Sequence, residues 1–263
     1  MLVKRVISGI VGILLLFALI MSGRIPFFIF SALLVILATN EYYNLLGNKL
    51  EYNKYFLIIL SLLFFVSMNS NLYTGPVLFL IFIFLFVYHI YNYSYENILY
   101  SIALSLLGII YIGGGLSFFV RLQELQTADM FATGFLWITL LGTWAVDTGA
   151  YFSGIHSGKT KLSPRISPNK TLEGAIGGIS LSIGVTLVFV MINGFLTPAM
   201  LFYALLLGPI AVLGDLFESA VKRDLTIKDS GELIPGHGGI LDRFDSLLFT
   251  LPFSYYYFLI LFF

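Results

Sequence analysis

The chain has 263 residues, 59% hydrophobic and 17% aromatic, with 14 basic and 14 acidic side chains and a mean hydropathy of +0.95. A charged fraction of 11% cannot coat a water-soluble surface, where about 25% is usual, and such apolar richness excludes a disordered tail. Zero cysteines exclude disulfides, thiolate zinc sites and cysteine nucleophiles, and a net charge of zero gives no sign of a nucleic-acid partner.

Apolar runs of helix-spanning length recur over residues 6–23, 26–46, 55–70, 74–92, 97–120, 130–153, 172–193, 197–221 and 244–263. The fold class is therefore all-α, a polytopic helical membrane protein with about nine transmembrane helices. Lys4 and Arg5 look like the start of a secretory signal. The run after them is too long for one, however, and no small-residue cleavage site follows, so it reads as an uncleaved helix. With the N-terminus cytoplasmic and the chain alternating sides, twelve of the fourteen basic residues fall in the cytoplasm, leaving only Arg24 and Arg121 outside. That split supports the helix count and the orientation together. The absence of a transit peptide fits a bacterial plasma membrane.

Composition changes along the chain. Residues 1–129 form an N-terminal set of nearly pure hydrocarbon helices with short connections. Residues 130–263 carry the chemistry, because Asp147 to Asp245 holds 17 of the 28 charges and two long cytoplasmic loops, about 154–171 and 222–243. Loops of that length without structure of their own are usually functional or disordered, and these flank buried carboxylates. Counted from the outer ends of their helices at ~1.5 Å per residue, Asp147, Asp215 and Asp245 lie ~26, ~27 and ~27 Å deep. All three therefore sit at one level, just inside the cytoplasmic edge of a ~30 Å hydrocarbon core. Glu218 follows Asp215 by three positions and Asp242 precedes Asp245 by three, so each pair shares a helix face. Each carboxylate alone could simply pair with a neighbouring Lys or Arg. Five at one depth, beside so many cations, favour a functional cluster. Oxygen-only ligands suit a hard cation such as Mg²⁺, and the basic residues suit a phosphorylated substrate.

The strongest string is SAVKRDLTIKDSGELIPGHGGILDRFD, Ser219 to Asp245. Its glycines could offer backbone N–H groups to an anion, and the plain alternative is a tight loop with topology-setting charges. The string resembles the signature of the phosphatidate cytidylyltransferases, the CDP-diacylglycerol synthases. Ser219, Lys222, Arg223, Lys228, Asp229, Gly231, Ile234, Pro235, His237, Gly238, Gly239, Ile240, Asp242, Arg243, Phe244 and Asp245 fill every fixed position of that pattern. The upstream string from Asp147 to Gly174, with Tyr151, Gly154, Gly158, Lys159, Lys170 and Glu173, is similar to the family too. The resemblance covers the C-terminal half; the N-terminal helices agree only in being hydrophobic.

The resemblance implies an integral membrane enzyme, usually a homodimer, that joins CTP to phosphatidic acid with Mg²⁺, giving CDP-diacylglycerol and pyrophosphate. On that reading Asp215, Asp242 and Asp245 are the metal ligands, and Asp147 and Glu218 support them or hold a second cation. Lys170, Lys222, Arg223, Lys228 and Arg243 neutralise the phosphates, while Ser219, Gly236, Gly238 and Gly239 bind substrate. His237 could act as a general base, but a lipid phosphate is already anionic at neutral pH. An orienting role in the loop is preferred for it. Residues 154–160, GIHSGKT, look like a Walker A loop yet place three residues, where four are needed, between Gly154 and Gly158. Glu41, near the cytoplasmic end of the second run, either touches the polar site or caps its helix, and it is left outside the site. Two alternatives stand beside the cytidylyltransferase: a CTP-dependent polyprenol or dolichol kinase, and a cation-coupled transporter of a phosphorylated solute. The transporter predicts inverted repeats, and none is visible.

Overall fold

The computed structural model describes residues 2–50, 52–70, 72–92, 97–125, 134–227, 231 and 238–262. Nearly all of these are helical. In chain order the helices are α1 (Leu2–Met21), α2 (Arg24–Leu46), α3 (Lys54–Met68), α4 (Thr74–Asn92), α5 (Ile98–Gly108) and α6 (Gly115–Glu124), the last two joined through a π-helical stretch at Ile109–Gly114. Then come α7 (Gly134–Ser157), α8 (Leu172–Ile192), α9 (Pro198–Asp224), α10 (Leu241–Phe244) and α11 (Leu247–Phe262). Within the described residues the expected membrane-crossing runs fall largely on helix, the last broken by a turn at 245–246 between α10 and α11. Among the described residues six stretches are long and apolar enough to cross: α2, α4, Ile98–Glu124, α8, α9 and Leu241–Phe262. Val11–Met21 and α3 are apolar but shorter. With 24 residues α7 has the length, but Gly, Thr, Trp and Asp147 dilute its apolar character. Three helices begin where a side chain satisfies a free N–H: Asn53, Thr171 and Thr197 accept from Tyr55, Gly174 and Met200.

The segment expected as an open loop over 154–171 is different. Helix α7 runs on to Ser157, and an antiparallel hairpin follows, β1 (Lys161–Ser163) with β2 (Ser167–Thr171), in register Lys161↔Thr171 and Ser163↔Ser167. The fold therefore departs from all-α here. The reason is backbone satisfaction. Glu173 accepts N–H bonds from Lys159 and Thr160, Leu172 donates to the Thr160 carbonyl at 2.8 Å, and Ile166 closes the turn onto Ser163 at 3.2 Å.

The chain forms two compact units. Among the described residues the first holds everything up to Arg121 together with 231 and 238–242; the second holds 122–227 and 243–262. In the first unit, α2, α3 and the π-helical stretch pack through small residues. A Cβ on Gly113 would stand 2.6 Å from the Ser61 carbonyl, and Tyr42 donates to the Leu104 carbonyl at 2.9 Å. In the second unit, α7 packs most extensively on α8. Gly149 and Gly178 bring these backbones together, since their Cβ atoms would lie 2.7 Å from the Gly177 carbonyl and 2.5 Å from that of Val146. Buried hydroxyls tie α7, α9 and α11: Thr143 bonds Thr250 at 3.0 Å, and Tyr203 bonds Thr139 at 3.1 Å and Ser254 at 2.8 Å.

Candidate active site

The second unit encloses a cavity of about 420 Å³ between α7, the hairpin, the start of α8 and α9. Helix α7 contributes Asp147, Ala150 and Tyr151, strand β2 contributes Lys170, and α9 contributes Asp215. The Lys170 ammonium pairs with the Asp215 carboxylate, both side chains being about three-tenths exposed (30% and 27%). The hairpin, fastened by Glu173 and Thr171, is what carries Lys170 across to α9. Asp245 comes close to the same helix because residue 214 is glycine. A Cβ there would stand 2.8 Å from the Asp245 carbonyl, so any larger residue would push Asp245 away. Asp245 lies within electrostatic reach of Asp215, Glu218 and Asp147, and Asp147 in turn within reach of Lys170 and Arg243.

One turn further along α9, Lys222 sits 3.3 Å from Glu218 at i,i+4, with both side chains largely buried, and Ser219 is half-buried beside them. Arg223 is placed otherwise. Its guanidinium donates to the Ile166 carbonyl at 3.0 Å and the Ile227 carbonyl at 3.4 Å, pinning the end of α9 to the hairpin turn. The structure thus brings Asp147, Lys170, Asp215, Glu218, Lys222, Arg243 and Asp245 into one unit. Lys228, Gly236 and His237 lie outside the described residues.

The end of the signature is built in the first unit. Gly238 has φ +84°, a left-handed conformation that suits glycine, and its Cβ would meet the Asp242 carboxylate at 2.8 Å. The Gly239 N–H, expected to face an anionic substrate, donates to Asp242 Oδ2 at 2.9 Å. The next two N–H groups go to a residue that sequence reasoning left out: Glu41 accepts from Ile240 at 2.8 Å and from Leu241 at 2.9 Å. Glu41 is 3% exposed. The signal that could have found it is a lone carboxylate inside an otherwise apolar helix, which is costly unless bonded.

The carboxylates fit a hard divalent cation in kind, since all donors are oxygen. Among the described residues no three His, Asp or Glu side chains converge on a common metal position. Carboxylates of the kind that hold a hard cation lie in one unit with Lys and Arg side chains of the kind that pair with phosphate.

Comparison with known proteins places the whole chain in one family. A model of the cytidylyltransferase family matches residues 3–261. The phosphatidate cytidylyltransferase of Synechocystis sp. is 35% identical, over 98% of this chain and 97% of its own length. That of Staphylococcus saprophyticus is 33% identical over 94% and 95%. The Bacillus subtilis enzyme of the same name is 43% identical across a shorter match, 57% of this chain and 55% of that protein.

Proposed function

The chain belongs to the cytidylyltransferase family, and we propose that it joins CTP to phosphatidic acid, giving CDP-diacylglycerol and pyrophosphate. The observation that carries the substrate reading is the signature from Ser219 to Asp245, which fills every fixed position of the phosphatidate cytidylyltransferase pattern. An oxygen of the lipid phosphate attacks the α-phosphorus of CTP. The bond from that phosphorus to its bridging oxygen breaks, and pyrophosphate leaves. The nucleophile is already an anion, so the protein's task is positioning and charge neutralisation. No proton need be removed from it.

Lys170, Lys222, Lys228 and Arg243 supply positive charge to the triphosphate and the lipid phosphate, and Arg223 adds its charge from the end of α9, where its guanidinium also bonds the Ile166 and Ile227 carbonyls. Ser219 and the N–H groups of Gly236 and Gly238 orient phosphate oxygens, and Gly239, whose N–H is held by Asp242, shapes the substrate-binding turn beside them. His237 orients a phosphate or a carboxylate. Asp215, Asp242 and Asp245 would hold Mg²⁺, with Asp147 and Glu218 behind them or on a second cation. Mg²⁺ would supply Lewis-acid polarisation of the phosphate oxygens and charge for the leaving pyrophosphate. The N-terminus is cytoplasmic and the roughly nine apolar runs read from the sequence cross the plasma membrane, a topology supported by the twelve-to-two distribution of basic residues. On this topology CTP arrives from the cytoplasm and the lipid from the bilayer. Homodimeric assembly belongs to the proposal and rests on the family resemblance.

Purified protein given radiolabelled CTP, phosphatidic acid and Mg²⁺ should transfer label into extractable lipid with matching pyrophosphate release. Asp242→Asn should lose both while still inserting and purifying. Release of CDP with a lipid alcohol as acceptor would replace this reading with the lipid kinase. Normal turnover in Asp242→Asn would remove that residue from the metal site.

A further inference from the structure

Glu41 is spent in an unusual way. Its two carboxylate oxygens accept the N–H groups of Ile240 and Leu241, residues 199 and 200 positions away, and the group is almost wholly buried. A buried carboxylate is costly, and one forked onto two adjacent peptides fixes their planes against rotation. Those peptides immediately precede Asp242. The same short turn carries the left-handed Gly238, and the Gly239 N–H bonds Asp242 itself. A Cβ on Gly231, also part of the signature, would stand 3.0 Å from Glu41 Oε1, so this residue too lies close to the Glu41 carboxylate. Three successive N–H groups, of Gly239, Ile240 and Leu241, are thus divided between Asp242 and Glu41. We infer that Glu41 is a positioning residue for the reaction: it clamps the signature turn so that the carboxylate of Asp242 is presented in one orientation. This rests on the proposed function, which gives Asp242 its role. It also gives the N-terminal helices, through Glu41 of α2, a share in the catalytic machinery.

The test uses Glu41→Gln and Glu41→Asp in the full-length protein in detergent. Glutamine keeps the shape but turns one acceptor into an NH₂ that faces a backbone N–H. Aspartate keeps both acceptors on a shorter stem. Two quantities are measured: hydrogen exchange of the 238–242 backbone without substrate or metal, and kcat with KM for phosphatidic acid. Glu41→Gln should speed exchange at Ile240 and Leu241 about tenfold, as loss of charge-assisted bonds requires. Helices α2 and α3 should stay protected. Its kcat should fall about 10- to 100-fold, the scale of an ångström-level misplacement, with KM for phosphatidic acid unchanged. Glu41→Asp should recover part of both. Parental kcat with parental exchange in Glu41→Gln would overturn the inference. So would exchange accelerated throughout α2 and α3 with activity falling only as the folded fraction falls, because that is a stability role. If the parent labels no lipid, the proposed function fails instead, and the local exchange of Ile240 and Leu241 still decides whether Glu41 clamps the turn.

Discussion

Lys170 shows how much one side chain can carry at this site. It reaches Asp215 only because the hairpin folds β2 back across the cavity, and the pair sits partly shielded from water. An ammonium there offsets the cost of Asp215 near two other carboxylates, and on the proposed function it is also a donor for a phosphate oxygen. Lys170→Met keeps the stem and removes the charge. It should lower kcat about 10²- to 10³-fold, the loss typical of one preorganised electrostatic group, while the protein still purifies as the parent does. Steady-state kinetics with labelled CTP checks this, and a change confined to less than about threefold would place Lys170 outside the chemistry. At this scale what the sequence made readable was which acidic residues would lie near one another. Asp147, Asp215 and Asp245 were placed at one depth from helix rise alone, and the structure sets them within electrostatic reach. Arg223 was harder to read, because a guanidinium serves a carbonyl as readily as a phosphate, and here it bonds Ile166 and Ile227. Glu41 was hardest. Its partners are backbone N–H groups that every residue possesses, so no pattern of side chains marks the pairing.

Among the elements, the helices were legible and their packing was not. Apolar runs of fixed length announce helices because a backbone in hydrocarbon has no other way to bond itself. The hairpin at 161–171 lies in a polar stretch where water competes for every bond, and nothing periodic distinguished it from an open loop. Its closure depends on Glu173, whose carboxylate reaches back to Lys159 and Thr160. The contact of α7 with α8 likewise depends on which glycines face each other. Gly149 lies against the Gly177 carbonyl, whereas around Gly184 on α8 there is open space. Gly149→Val should therefore overpack the interface and cost about 1–3 kcal/mol. Gly184→Val should leave stability near the parental value. Thermal unfolding of the two variants in detergent compares them directly. Equal midpoints would show that α7 and α8 are held by something other than backbone approach. Because α7 carries Asp147 and α8 follows directly from β2, loosening this pair would also displace Lys170 and the cavity wall.

The whole molecule poses a question that length alone answers in two ways. Helix α3 has 15 residues, about 22 Å at helical rise, against a hydrocarbon core of ~30 Å. A segment that short can span where the bilayer thins around it, at a modest cost per ångström. Helix α7 has the length but carries polar residues along it. If α3 and α7 both cross, Lys49 and Leu72 stand on opposite faces, and so do Leu125 and Lys161. If neither crosses, each pair shares a face. The chain has no cysteine, so a single cysteine can be placed at each of these four positions without removing another. Labelling with a membrane-impermeant maleimide, on right-side-out and inverted vesicles, then reads the sidedness of each. The distribution of basic residues predicts Lys49→Cys and Lys161→Cys labelled only from the cytoplasmic face, and Leu72→Cys and Leu125→Cys only from outside. A shared face for Lys49 and Leu72 would make α3 a re-entrant or surface helix. A shared face for Leu125 and Lys161 would do the same for α7 and would set Asp147 on a helix that enters the bilayer without traversing it. In either event the electrostatic argument is reshaped, because the cost of a carboxylate is set by its distance from water. The proposed site needs Asp147, Lys170 and Asp215 near the face from which CTP comes. Opposite sidedness for both pairs, with Lys161 inside, is the arrangement that puts them there.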